Sequence, residues 1–139
     1  MTKKGMHKVK AGVAQLVDFS CCSNIPTEKT ADKFLKRVKK EAEKCGITVV
    51  KTGWDLRHPF IPRGLTLVFV LAESDMTFHT WPTNKDGSRG GVTSTLDICG
   101  KGVDLEKLVK SLTHILGAEM VEVHKKEPRY IWVKNGEKI

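Results

Sequence analysis

Nowhere in this 139-residue chain does an apolar run approach the roughly 20 residues that a membrane helix needs. The longest, Leu65 to Ala72, has the length of a strand even when Thr66 is counted within it. The N-terminal Met1-Thr2-Lys3-Lys4-Gly5 is basic but lacks the apolar core of a signal peptide, so a cytoplasmic protein is expected. The four cysteines, Cys21, Cys22, Cys45 and Cys99, form no CxxC pair. That argues against a zinc ribbon or a thioredoxin-type centre, and in a reducing compartment they are expected as free thiols. There is no GxSxG elbow and no obvious orienting carboxylate for a hydrolase triad. Only three Trp and one Tyr are present, and no aromatic–basic interleaving suggests a base-stacking platform. Low-complexity segments, repeats and linkers are lacking too, which leaves one domain spanning residues 1–139.

What is present is a soluble composition, 40% hydrophobic and 29% charged, with a net charge of +8. Much of the excess lies between Lys33 and Lys44, where Lys33, Lys36, Arg37, Lys39, Lys40 and Lys44 are interleaved with Glu41 and Glu43. This pattern is that of a solvated helix face, and no specific nucleic-acid partner is expected from it.

Val9 to Phe19 reads as a first strand. Thr27 is a plausible N-cap for a helix whose apolar stripe is Ala31, Phe34, Leu35, Val38, Ala42 and Cys45, with Gly46 at its end. Ile47 to Thr52 and Leu65 to Leu71 read as strands, with a loop from Trp54 to Pro62 between them. Met76 to Trp81 and Val92 to Ile98 alternate as half-buried strands do, joined by an exposed connection from Pro82 to Gly91. Asp104 can cap a second helix carrying Leu105, Leu108, Val109, Leu112, Ile115 and Leu116, with Gly117 as its stop. Met120 to Val123 and Tyr130 to Val133 are candidate last strands. The order implies an α+β two-layer sandwich, a mainly antiparallel sheet with two helices on one face. The other face is then left open to a second copy.

Reactive side chains concentrate in Ala72-Glu73-Ser74-Asp75-Met76-Thr77-Phe78-His79-Thr80-Trp81-Pro82 and in Asp97-Ile98-Cys99-Gly100. Three adjacent strand ends could bring the Ser74 hydroxyl, the His79 imidazole and the Cys99 thiol together. Taken singly, each has an ordinary structural explanation: a turn serine, a hydrogen-bonded histidine, a small buried thiol. His7, His58, His114 and His124 are scattered and receive no role, and no metal site is apparent.

Glu73-Ser74, then His79-Thr80-Trp81-Pro82, then an apolar strand ending in Asp97-Ile98-Cys99-Gly100 resembles the prokaryotic S-adenosylmethionine decarboxylase proenzyme family. The resemblance runs from about Val9 to about Val123. It implies self-cleavage between Glu73 and Ser74 into a β chain, residues 1–73, and an α chain, residues 74–139. Ser74 would become a pyruvoyl group, the cofactor built from the chain itself, with neither PLP nor metal. The substrate amine would form a Schiff base with that group, which then acts as the electron sink for decarboxylation in spermidine and polyamine biosynthesis. By the same resemblance His79 is the general base of processing and Cys99 the proton donor of turnover. Phe60 and Trp81 match aromatics near the adenine of the substrate, and Thr66 matches a small hydroxyl residue that assists processing. Family enzymes are homodimers, or larger assemblies, of the αβ unit, with sites at the interface.

Three positions depart from the family pattern. Asp75 stands where His is usual, Thr83 where a Glu holds the ribose, and the 83–93 connection is longer than usual. The second and third touch substrate recognition, and leave arginine or ornithine as alternative substrates for the same pyruvoyl machinery. The first touches maturation, and leaves a further alternative: an unprocessed, non-enzymatic paralogue acting as partner or regulator.

Overall fold

The computed structural model describes residues 4–57, 62–83, 88–100, 102–124 and 126–138. In chain order the elements are β1 (Met6–Ser20), α1 (Ala31–Lys44), β2 (Val49–Leu56), β3 (Leu65–Leu71), β4 (Ser74–Thr83), β5 (Arg89–Ile98), α2 (Leu105–Leu116), β6 (Met120–Val123) and β7 (Glu127–Lys134). The strands form one seven-stranded sheet in the order β2-β3-β4-β5-β1-β6, with β7 also on β1. Every pairing is antiparallel. The 15-residue β1 is long enough to serve two partners along one edge: Val17–Ser20 pair with β6, and Met6–Ala14 with β7.

Alternation decides which face is covered. Leu65, Leu67, Phe69 and Leu71 of β3, Met76 and Phe78 of β4, and Leu96 and Ile98 of β5 are buried. They meet Phe34, Leu35 and Val38 of α1 and Leu108, Leu112 and Leu116 of α2 in one core. Phe78 is central, edge-on to Phe34 at 5.9 Å and to Phe69 at 5.6 Å. Each fully buried Leu or Phe is worth about 1.5–3 kcal/mol, so this layer carries the fold. Residues between them on the strands, among them Thr66, Asp75, Thr77, His79, Thr93 and Asp97, are only half-buried, and Val70 and Trp81 are exposed. The α+β two-layer sandwich is thus as expected, with one sheet face open.

The caps of α2 are those expected: Asp104 accepts from the Lys107 N–H at 3.1 Å, and Gly117 adopts φ 59°. The N-terminus of α1 differs. Thr30, not Thr27, precedes the helix, because Thr27 is used in a turn: its N–H donates to Thr30 Oγ1 at 2.9 Å and its carbonyl accepts from the Thr30 N–H at 3.0 Å. The predicted loop from Trp54 also begins later. Trp54 lies in β2 and pairs with Leu67 of β3, and its indole N–H donates to Asp32 of α1 at 2.9 Å, which keeps the chain extended to Leu56. The β4–β5 hairpin is longer than the alternation implied, closing at Thr83 opposite Arg89. Pro82 is tolerated there because it lies beyond Leu65, the first residue of β3, where β4 has one neighbour instead of two.

Candidate active site

Leu71 pairs with Ser74 across a tight turn made by Ala72 and Glu73. Two-residue hairpins normally rely on positive φ inside the turn. Here neither turn residue has it, and the positive φ falls on Ser74, at 131°. That region is largely glycine's, and holding a serine there costs about 1–3 kcal/mol. The turn is tied down on both sides. Thr48 accepts from the Ala72 N–H at 3.0 Å and donates its own N–H to the Glu73 carboxylate.

The β4–β5 register sets Ser74 opposite Ile98, so Cys99 emerges beside the turn. The Glu73 carbonyl oxygen, one bond before Ser74, accepts two hydrogen bonds from Cys99. Its N–H donates at 2.7 Å and its Sγ at 2.9 Å. Ser74 Oγ lies 3.4 Å from the same Sγ. Cys99 comes this close because Gly12 sits at a bulge in β1; a Cβ on Gly12 would lie 2.8 Å from both Cα and Cβ of Cys99. A groove of about 750 Å³ opens on the same side, bounded by Gly12, Val13, Ile98, Cys99, Val103 and Leu105. Its size is that of a small-molecule site.

His79 is not brought to Ser74. It pairs with Thr66 on β3 and Thr93 on β5, five residues further along β4, about 17 Å at 3.4 Å per residue. The sequence expectation of three converging strand ends therefore holds for the hydroxyl and the thiol but not for the imidazole. Extended chain carries His79 toward the middle of the sheet, where Thr66 Oγ1 lies 3.0 Å from its Nδ1. Burial, and next the charge of Arg57, hold the His79 pKa below its ordinary value, so the ring is neutral at pH 7. Arg57 stacks over Trp81 at 3.9 Å and donates to the Thr80 carbonyl at 3.3 Å. Thr66, His79, Trp81 and Arg57 thus make a second cluster. Phe60 lies outside the described residues, as do residues 84–87 of the 83–93 connection; Thr83 is exposed.

Asp75, beside Ser74, is half-buried directly opposite Asp97 on β5. Opposed carboxylates repel. Asp97 is compensated by Arg129 of β7, which donates to it. Sequence reasoning missed Arg57, Gly12 and Arg129, because each acts across strands far apart in the chain. It also gave no role to His124. His124 Nε2 lies 2.6 Å from Asp18 on β1, a hydrogen bond that raises the His124 pKa, with Glu122 alongside.

Fold and site together define a two-layer α+β domain in which a hydroxyl and a thiol converge on one peptide carbonyl. The sequence profile of the S-adenosylmethionine decarboxylase family matches residues 14–127, and the chain belongs to that family. It is 35% identical over 88 residues to the S-adenosylmethionine decarboxylase proenzyme of Thermosipho melanesiensis, covering 63% of this chain and 62% of that one. It is 37% identical over 81 residues to that of Methanococcus vannielii, covering 57% and 58%. The matches thus span less than two thirds of the length of these curated relatives. A solved adenosylmethionine decarboxylase from Aquifex aeolicus has the same fold, with a TM-score of 0.67 at 21% identity over 94% of this chain and 98% of that one.

Proposed function

We propose that the chain is the precursor of a pyruvoyl-dependent S-adenosylmethionine decarboxylase that cuts its own backbone between Glu73 and Ser74. The observation that carries this reading is the Glu73 carbonyl, which accepts both donors of Cys99 next to a strained Ser74. Ser74 Oγ adds to the Glu73 carbonyl carbon and loses its proton. The charge that develops on the carbonyl oxygen meets the N–H and S–H of Cys99, donors already at oxyanion-hole distance. Collapse breaks the C–N bond, the Ser74 nitrogen takes a proton, and an ester results. Cleavage also releases the φ of 131° from its covalent constraint, which favours the forward direction.

A base then removes the Ser74 α-proton, the main-chain carboxylate of Glu73 leaves as the new C-terminus, and the dehydroalanine takes up water and loses ammonia. Chain 1–73 and chain 74–139 remain. His79, neutral by virtue of its depressed pKa and oriented by Thr66, has the right chemistry for this base. Its distance from Ser74 within one chain supports a second copy as its source, with a dimer of αβ units as the proposed working unit. Trp81 from the same copy would then contact the substrate, a role that the family resemblance also expects of Phe60. The pyruvoyl group, once formed, supplies a ketone for the substrate amine and an amide carbonyl that takes up the electron pair as carbon dioxide leaves. Cys99 Sγ then delivers a proton to the carbon. A reducing cytoplasm keeps that thiol available.

The substrate assignment leans on the relatives' names. One observation favours a substrate without a nucleoside: Arg57 already covers a face of Trp81, and Thr83 is no carboxylate. The intact mass of the purified protein tests the class. Chains of residues 1–73 and 74–139, the second with a blocked N-terminus reactive to borohydride, are expected. A stable uncleaved chain would sink the proposal and favour the non-enzymatic paralogue. Carbon dioxide release from S-adenosylmethionine, arginine and ornithine, measured side by side, decides the substrate.

A further inference from the structure

The family match ends at residue 127, yet β7 continues to Lys134 on the N-terminal half of β1. In this ribbon Met6 is paired with Lys134, Lys8 with Trp132, and Lys10 with Tyr130. Directly opposed residues project to the same face, as do alternate residues along a strand. One face therefore carries three lysines, a tryptophan and a tyrosine, with no acidic residue among those pairs. The lysines and Tyr130 are exposed and Trp132 is half-buried. Lys8 Nζ rests 5.8 Å from the Tyr130 ring centre and 5.5 Å from that of Trp132.

We propose that this face binds single-stranded nucleic acid without sequence preference. Ammonium groups take phosphates, and aromatic faces take bases, which all have a π-face to offer. Lys8 is poised between the two tasks. Drawn to a phosphate, its ammonium leaves two ring faces open to bases. From Met6 to Lys10 the ribbon runs on the order of 14 Å, enough for a few nucleotides. An acidic peptide would use the lysines and leave the rings idle. Lys8 and Lys10 come from the opposite end of the chain to Lys134 and the two aromatics, so the full face exists only once β1 and β7 pair.

The test titrates the purified protein, in whatever processing state it is isolated, into a fluorescent oligothymidine at low salt. Binding in the micromolar range is expected, with a slope of log affinity against log salt of about −2 for three lysine–phosphate contacts. Replacing Lys8 and Lys134 by Glu should weaken binding at least tenfold. Trp132→Ala should weaken it at least about fivefold; if that variant does not fold, the exposed Tyr130→Ala makes the same test. Lys36→Glu with Lys40→Glu on α1 makes an equal change in net charge and should matter far less. An equal loss in that pair would show attraction by charge alone and overturn the proposal. So would absence of binding at low salt, or capture by anionic phosphatidylserine vesicles in place of the oligonucleotide, which would make the face a membrane contact.

Discussion

Strand β4 holds two regions of opposite character. At its start, Ser74 is strained, the peptide before it is fixed on both sides, and the Glu73 carbonyl is doubly hydrogen-bonded. In its middle, His79 sits relaxed in regular strand geometry, bonded to Thr66 and flanked by Arg57 and Trp81. In the proposed reaction the first region brings together the groups of the acyl shift. The second carries the proposed base, His79. Roughly 17 Å of extended chain separates them. The difference teaches that one polypeptide can be fully folded and still keep the two groups of one proposed reaction apart, which is why a second copy enters the proposal.

Complementation breaks or secures that view with the largest effect. Ser74→Ala alone should never cleave. His79→Ala alone should stop at or before the ester. Co-expressed, they should restore cleavage, and only in the His79→Ala copy, because its Ser74 meets an intact His79 from the other chain. Mass spectrometry distinguishes the copies if one carries a short tag. No cleaved product in the mixed sample, with each variant folded, would mean that the base acts within one chain after a rearrangement.

Cys99 sharpens the same comparison from the other end. Cys99→Ala removes the S–H donor and leaves the N–H donor, so ester formation should slow by about 10²–10³-fold, the usual loss for one oxyanion donor. Cys99→Ser retains a donor and should lose less. Gly12→Ala should resemble Cys99→Ala more mildly. Its Cβ would press on Cys99 Cα and Cβ at 2.8 Å and displace both donors slightly while leaving them in place on the carbonyl. A Gly12→Ala protein that processes at the normal rate would mean that the bulge has no part in aligning Cys99.

A further, moderate effect concerns strain. Ser74→Gly abolishes chemistry but relieves the backbone, since glycine adopts a φ of 131° freely. Against the equally uncleaved Ser74→Ala protein it should unfold at higher denaturant, by about 1–3 kcal/mol. Equal stabilities would remove strain from the account of cleavage.

The layers of the fold were legible because both helices and the central strands repeat their apolar residues at 3.6 or 2 with little interruption, as in Leu65-Thr66-Leu67-Val68-Phe69 and Leu108–Leu116. The helix start was misread because Thr27 and Thr30 are equally good caps in one dimension, and only their mutual hydrogen bonds decide between them. Trp54 and Thr83 were misread because cross-strand pairing overrode nearby Pro and Gly. At the site, Ser74, His79 and Cys99 were visible as a motif. Their grouping into one pair and one outlier was not, since offset along a strand becomes distance only once the register is fixed. Arg57 was invisible because its contact to Trp81 joins residues 24 apart with no pattern linking them.

The smallest expected effect tests that last contact. Two causes lower the His79 pKa, burial first and the Arg57 charge second. Arg57→Gln removes the second and keeps the first, so the pKa should rise part of the way back toward 6.5. The sign follows for function and for stability. A base works only when unprotonated, so the acid limb of the elimination step should move to higher pH. A depressed pKa contributes stability above 6.5 that is lost as pH falls through the folded-state value, and Arg57→Gln should make that loss shallower. Proton NMR of the His79 ring gives the pKa directly, and the pH profile of ester breakdown gives its consequence. If the NMR pKa rises but the profile stays put, His79 is not the base, and the region in the middle of β4 serves binding alone.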